Sequence, residues 1–323
     1  MHTFIKNLSI FLVLIAASVT GMQASAQTFP SRPIRLIVPY GPGGNTDLLA
    51  RSAGQKLGEV LGQPILVENR PGASTLIGTR LAVQAPADGY TLFMGNNATA
   101  ILPVISSTPA GYQFEDFTPL GSVGTFPMVL SVTPSLPIRS VSDLIAYDKN
   151  SPGKLNIGEA GGHTQLLSER LKYLTGLKLV DINFGGAAQA LTNVAGGQIQ
   201  MFIDGAPTSI VLHKGEKIRI IAVAADKRLS QIPEVATFKE QGFSPMTASA
   251  WFALFVASKT PEPILRLLTQ ATEKVVADPA VRERIAASGG DPWSGTAAEF
   301  DAYIKQDTRA LYEDARRSGY KLP

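Results

Sequence analysis

Recognition of an anion needs donors, and the stretch Pro39-Tyr40-Gly41-Pro42-Gly43-Gly44-Asn45-Thr46-Asp47 can supply them from its backbone. Gly41, Gly43 and Gly44 permit conformations and close approaches that a Cβ would block. After them Leu49, Ala53, Leu57 and Leu61 recur at helical spacing. Asn45, Thr46 and Asp47 therefore fall at the start of a helix, where the first N–H groups have no intrahelical partner. Such a loop sits at the positive end of a helix dipole, worth roughly half an elementary charge, and suits an anion. The same pattern also makes a plain strand-to-helix turn, and the loop alone does not decide between the two.

Other small-residue and hydroxyl clusters share this character. Gly95-Asn96-Asn97-Ala98-Thr99 follows an apolar run, and three more such clusters lie further on: Gly158-Glu159-Ala160-Gly161-Gly162-His163-Thr164, Phe184-Gly185-Gly186 and Asp204-Gly205-Ala206-Pro207-Thr208. The chain has no cysteine, and past the N-terminal region only His163 and His213. There is no Gly-x-Ser-x-Gly elbow, no phosphate-binding Gly-Lys loop and no zinc-type histidine cluster. No enzyme, metal or cofactor is therefore expected. A hydrolase built on an unrecognised serine or carboxylate pair stays open as an alternative, separable by turnover of a bound ester or amide.

The elements that must position these loops alternate. Ile34–Val38 reads as a doubly buried strand and the following helix runs to Leu61. A strand at 65–68, the turn Asn69-Arg-Pro-Gly-Ala73, a short helix through Leu76 and Val83, and a strand at 91–94 come next. Residues 100–125, rich in Pro, Gly, Ser and Thr, read as irregular connection. A second alternating unit follows: strand 128–132, helix 141–147, strand 155–157, helix 165–174, strand 179–183, helix 187–194, and strands 200–203 and 218–223. A strand at 250–256 precedes helices, the last opened by the capping box Thr296-Ala-Ala-Glu299. Strands joined by helical crossovers form parallel sheets, whose ligands sit at the strands' carboxyl ends.

The expected organisation is a signal peptide over 1–26, lobe I from 27–126 plus 249–323, and lobe II from 127–248. Lys6, the apolar run Leu8–Val19 and Ala24-Ser-Ala26 form the leader pattern, with cleavage after Ala26 and a soluble periplasmic product. Net charge is +3 with both signs interspersed, which gives no nucleic-acid footprint.

The order Pro39-Tyr-Gly-Pro-Gly-Gly-Asn-Thr-Asp-Leu-Leu-Ala-Arg51, Val67-Glu-Asn-Arg-Pro-Gly-Ala73, Ile77-Gly78, Asp88-Gly-Tyr-Thr-Leu92 and Ile232-Pro-Glu-Val235 resembles the Bug-type, TctC-like solute-binding proteins of tripartite tricarboxylate transporters. The resemblance implies an α/β, two-lobed periplasmic binding protein of type II, a Venus flytrap, with a mainly parallel sheet in each lobe flanked by helices. It further implies a monomer that closes on a small organic carboxylate (a di- or tricarboxylate, aromatic acid or amino acid) and hands it to membrane transporter subunits. A ligand-binding module for a periplasmic sensor is the alternative.

Expected ligand contacts from the first lobe are Tyr40, Gly41, Gly43, Gly44, Asn45 and Thr46, with Asn96, Asn97 and Thr99. From the second they are Gly161, Gly162, His163, Thr164, Phe184, Gly185 and Asp204. Asn45 and Thr46 can equally cap their helix, and the residues at 96–99 can be a simple turn. Phe184 stands where the family often has tyrosine. Asp204 resembles a family acid whose structural or water-holding role is favoured over specificity. Asp47 is expected to complement the helix dipole, Trp251 to pack at the hinge, and Glu68, Asn69 and Arg70 to fix the lobe internally. The sequence departs from the family at Glu159 and His163. If His163 meets the carboxylate, binding should strengthen from pH 8 to 6; otherwise it lies in a solvated loop and only caps the helix.

Overall fold

The computed structural model describes residues 29–106 and 109–317, so the expected leader and its cleavage point lie outside the described residues. The first alternating unit forms from local signals. β1 (Ile34–Val38) pairs in parallel with β2 (Ile65–Asn69) and β3 (Thr91–Asn96), and α1 (Asn45–Leu61) and α2 (Leu76–Val83) make the crossovers. Because β1 lies between its partners, Ile34, Leu36, Ile37 and Val38 are all buried, which explains a run without polar alternation. Its Arg35 reaches Glu68 of β2 at 2.8 and 3.0 Å, and Arg70 joins Glu68 at 3.0 Å. α1 turns Ala50, Ala53 and Leu57 inward and stops at Gly62, which adopts the left-handed conformation such a cap requires. Gly78 is where α2 approaches most closely. A Cβ there would lie 2.6 Å from the Arg70 carbonyl oxygen and 2.8 Å from Pro39 Cα, so α2 clamps the turn after β2 onto the loop after β1.

Much of the stretch expected to be irregular, 100–125, is regular, the described residues between Ile105 and Phe114 being the irregular part. α3 (Asn97–Ile105) begins one residue after β3, and β4 runs unbroken from Phe117 to Val132. The glycines and prolines of 117–127 argue locally for a loop. Bulges between Pro119 and Gly121 and between Ser122 and Gly124 absorb them, and pairing with the apolar strand β9 (Ser249–Ala257) overrides the local preference. α3 keeps Pro103 inside because Ala98, Ile101, Leu102 and Ile105 are buried.

In the second unit β5 (Leu155–Glu159) pairs in parallel with β6 (Leu179–Asn183) and β7 (Met201–Gly205), crossed over by α5 (Gly162–Thr175) and α6 (Ala187–Ala195). α4 (Val141–Asn150) precedes it, held at its start by Ser140, whose Oγ accepts from the Asp143 N–H. The Asp204–Thr208 segment is not the expected turn. β7 continues to Gly205 and α7 (Ala206–Lys214) starts at once, with Pro207 in the first turn, where it forfeits no hydrogen bond. β8 (Arg219–Ala224) pairs with β4.

The strand order is β2-β1-β3-β9-β4-β7-β5-β6, with β8 also on β4. Between the strands named here, parallel pairs are those of β2-β1-β3 and β7-β5-β6, and β4 and β9 join these triplets antiparallel. β4 pairs with β9 from Phe117 to Pro127 and changes partners at Met128 to β7 and β8. α8 (Glu262–Ala277), α9 (Pro279–Ala287) and α10 (Ala297–Arg317) finish the chain. The Thr296–Glu299 capping box forms as expected, Glu299 accepting from the Thr296 N–H at 2.7 Å and Thr296 Oγ1 from the Glu299 N–H at 3.2 Å. Phe300 and Ile304 of α10 enter a core with Phe93, Phe117, Trp251 and Phe255. There Phe93 stacks on Phe117 at 4.9 Å and Trp251 meets Phe300 edge-on at 5.7 Å.

Candidate ligand-binding site

β1 leads through the glycine loop 39–44 into α1, β3 and β7 run straight into helices, and β5 and β6 do so after two or three residues; the starts of those helices face one cavity of about 40 Å³. Tyr40 and Gly44 come to it from the loop before α1, Asn45 and Thr46 from the first turn of α1, and Asn96 from the end of β3, where it caps α3. His163 and Thr164 of α5, Ala187 of α6, and Asp204 and Gly205 before α7 complete the polar wall. α1, α5, α6 and α7 begin after Gly44, Gly161, Gly186 and Gly205, none of which carries a capping side chain. The starts of α1, α5 and α6 therefore direct N–H groups and the positive ends of their dipoles towards the cavity. None of the described lining residues is lysine or arginine.

Asn45 does not cap its own helix. Its Nδ2 donates to Asp204 Oδ2 at 3.1 Å and to the Gly205 carbonyl at 3.0 Å, while its Oδ1 accepts from the Thr208 N–H at 3.0 Å. It thus caps α7, contributed by a chain segment more than 150 residues away. Thr46 lines the cavity but makes no capping bond either. Asp204 also accepts from the Thr208 hydroxyl at 2.7 Å, and burial pushes its carboxyl up to about 6 against those hydrogen bonds. Asp47 fixes the glycine loop. It accepts from the Gly43 N–H at 2.9 Å and from Asn69 at 2.8 Å, and it pairs with Arg51 at 2.9 Å. Burial opposes its charge, yet Arg51, Gly43 and Asn69 together hold it below the usual carboxylate range. Asn69 also donates to the Tyr40 carbonyl at 3.0 Å, the internal role expected for it.

Of the residues expected at the end of β3, only Asn96 borders the cavity. It caps α3 by accepting from the Ala98 N–H at 3.1 Å, and it exchanges hydrogen bonds with the Tyr40 hydroxyl at 3.0 and 3.1 Å. Thr99 is spent on the capping box, accepting from the Asn96 N–H at 3.3 Å. Asn97 turns away from the cleft: it donates to Asp307 at 2.9 Å and the Ser249 carbonyl at 3.3 Å, and accepts from the Trp251 N–H at 3.0 Å. With every polar atom so engaged, it positions β9 and α10 rather than facing the cavity.

In α5, Thr164 Oγ1 accepts from the Ala160 N–H at 2.7 Å and donates to the Gly161 carbonyl at 2.9 Å, closing the turn before the helix. His163 is not in a solvated loop. It is 6% exposed, and its Nε2 has no hydrogen-bond partner among the described residues. Burial pushes it down to about 4, which leaves the imidazole neutral across pH 6–8. Gly162 packs instead on α3, where a Cβ would meet Ile105 at 3.0 Å. Glu159 lines neither chamber. Burial lifts it to about 7, the charge of Asp181 adding and that of Lys172 opposing.

A second chamber, of about 260 Å³, shares Tyr40 and Ala160 with the first and brings in Gly161, Phe184 and Gly185. Gly41 donates its N–H to the Gly185 carbonyl at 3.5 Å, and Gly43 lines an outer groove rather than either chamber. The wall missed from sequence is Ala73-Ser74-Thr75, three consecutive non-glycine residues in the left-handed region at φ 46°, 52° and 85°. Such a run is strained, and for a β-branched residue it is an outlier. Thr75 Oγ1 is buried and has no partner among the described residues. Gly72 was the sole local hint, because Ala, Ser and Thr do not announce this conformation.

The sequence profile of the tripartite tricarboxylate transporter family receptor matches residues 49–313. The chain belongs to this family. BugT of Bordetella pertussis is 32% identical to the receptor over 321 residues, 98% of each chain. A solved structure of an R. palustris protein with adipate is 30% identical and superposes with a TM-score of 0.85, covering 90% of the receptor and 98% of that chain. MatC of Rhodopseudomonas palustris with bound malate is 25% identical at a TM-score of 0.84, covering 88% and 99%. The receptor has the α/β fold of the two-lobed periplasmic binding proteins.

Proposed function

We propose that the receptor binds a small organic carboxylate between two lobes and presents it to a membrane transporter, acting by capture and release rather than by turnover. The observation that carries this reading is the convergence of the uncapped starts of α1, α5 and α6 on one cavity whose described walls hold no lysine or arginine. Donors fixed in the backbone and aligned dipoles bind an anion without a counter-ion. Adipate and malate in the two relatives' structures belong to the same chemical class.

The lobes meet where β4 and β9 cross, near 126 and 248, with 27–126 plus 249–323 on one side and 127–248 on the other. The hydrogen bonds from Asn45 to Asp204 and from Gly41 to Gly185 then join the lobes in a closed arrangement. One carboxylate sits at the helix starts near Gly44, Thr46 and His163, whose neutral ring can donate to it. The rest of the ligand extends past Tyr40 towards Thr75 and Phe184. The receptor works as a periplasmic monomer released after Ala26.

A thermal-shift panel of dicarboxylates, tricarboxylates, aromatic acids and amino acids tests this. One saturating ligand at a hundredfold excess over its Kd stabilises by about 2.7 kcal/mol. A panel in which no carboxylate shifts the melt overturns the proposal.

A further inference from the structure

Asn45 also lines the outer groove, a third space of about 500 Å³ between α1, α6, α7 and α9. Its walls are aliphatic. Leu191 of α6 and Ile285 of α9 are buried in its floor, while Leu48 of α1 and Val211 of α7 stand 50% and 70% exposed along it. Facing aliphatic side chains left this open keep apolar area in water that an occupant would remove. The groove's size falls in the range of small-molecule sites, roughly 300–1,000 Å³.

Charge narrows the occupant. Arg284 is the sole charged residue among the described lining residues, and no acid shares the groove with it. Its Nη1 donates to Ser52 Oγ at 2.9 Å, which holds the guanidinium beside α1 with donors to spare. An aliphatic trough with one cation matches an anion that carries an apolar body. The polar cavity, by contrast, is built from helix starts and takes charge without a cation.

We propose that this groove binds an amphiphilic monoanion, an alkyl or aryl carboxylate, with its head on Arg284 and its body along Leu48, Leu191 and Val211. The body touches α1 and α9 on one side and α6 and α7 on the other. Its occupant therefore favours the arrangement in which Asn45 holds Asp204 and Thr208, the arrangement that also shuts the polar cavity. The proposal does not depend on which ligand, if any, the polar cavity takes.

The test is a methyl-labelled NMR titration of the protein with octanoate, with 1-octanol as the uncharged probe. The expected result is saturable shifts of the Leu48, Leu191, Val211 and Ile285 methyls. Arg284→Gln should weaken octanoate about tenfold and leave octanol unchanged. Val211→Asp, at an exposed position, should remove octanoate binding while the spectrum stays folded. The proposal is overturned if those methyls do not respond, as when a protein partner rather than a small molecule covers the groove. It is also overturned if octanoate shifts only the residues around His163, or if Arg284→Gln binds octanoate as tightly as wild type.

Discussion

Gly44→Val should separate closure of the site from folding. Gly44 precedes α1 at φ −85° and ψ 172°, an extended conformation open to any residue. A Cβ added there would stand 3.6 Å from the Ala188 N and 3.7 Å from the Ala187 Cβ at the start of α6, ordinary contact distances. Alanine should therefore fit. Valine adds two γ-carbons about 1.5 Å further out, and at least one must enter space held by the α6 start when the site is shut. Overpacking of this kind costs about 1–3 kcal/mol. Because the cost falls on the closed arrangement alone, affinity should drop about 5- to 150-fold. The assay is calorimetric titration with the acid that the thermal-shift panel identifies, on wild type, Gly44→Ala and Gly44→Val, with an unliganded melt as the folding control. Wild-type affinity in Gly44→Val would refute the reasoning. So would an equal loss in Gly44→Ala, which would trace the effect to the backbone instead of to closure. Gly43 is the poorer probe, since at φ 86° any side chain there adds strain of its own.

Asp204 has a folded value of about 6, raised by burial from 3.8. Its contribution to stability is thus fully present below its unfolded value and is lost as pH rises through about 6, by up to about 3 kcal/mol. The melting temperature of wild type relative to Asp204→Asn should accordingly fall from pH 4 to pH 7, and a constant difference would contradict this. Asp307 accepts from Asn97 Nδ2 at 2.9 Å and Trp251 Nε1 at 3.1 Å. Asp307→Ala leaves Trp251 Nε1 unpaired and Asn97 Nδ2 with only its longer bond to the Ser249 carbonyl, at about 1–3 kcal/mol for the unpaired donor, whereas Asp307→Asn keeps an acceptor oxygen and should recover most of the loss. Denaturant melts decide, and an alanine variant as stable as wild type would show that the pair contributes nothing.

What the sequence determined by itself was whatever neighbouring residues settle among themselves. The aliphatic run of β1 and the helical spacing of α1 to Leu61 depend largely on contacts within a few residues, and each formed where the sequence placed it. The capping box at Thr296 and Glu299 is likewise a local exchange of hydrogen bonds. The motifs around Pro39 and Val67 identified the family for a related reason: a glycine loop, and a helix clamped to it through Gly78, need particular residues at fixed spacing. Tertiary structure decided the rest. The prolines and glycines of 117–127 became strand because β9, more than 120 residues on, offers a continuous apolar partner. Asn97 faces away from the cavity because Asp307, 210 residues away, Ser249 and Trp251 engage its amide. The Asn45 side chain serves α7 rather than its own helix because Asp204, Gly205 and Thr208 are packed against it. Side-chain type marks an asparagine or a histidine as able to bind or to titrate. Only the groups packed around it, set by distant parts of the chain, fix which hydrogen bond it makes and whether it keeps its charge.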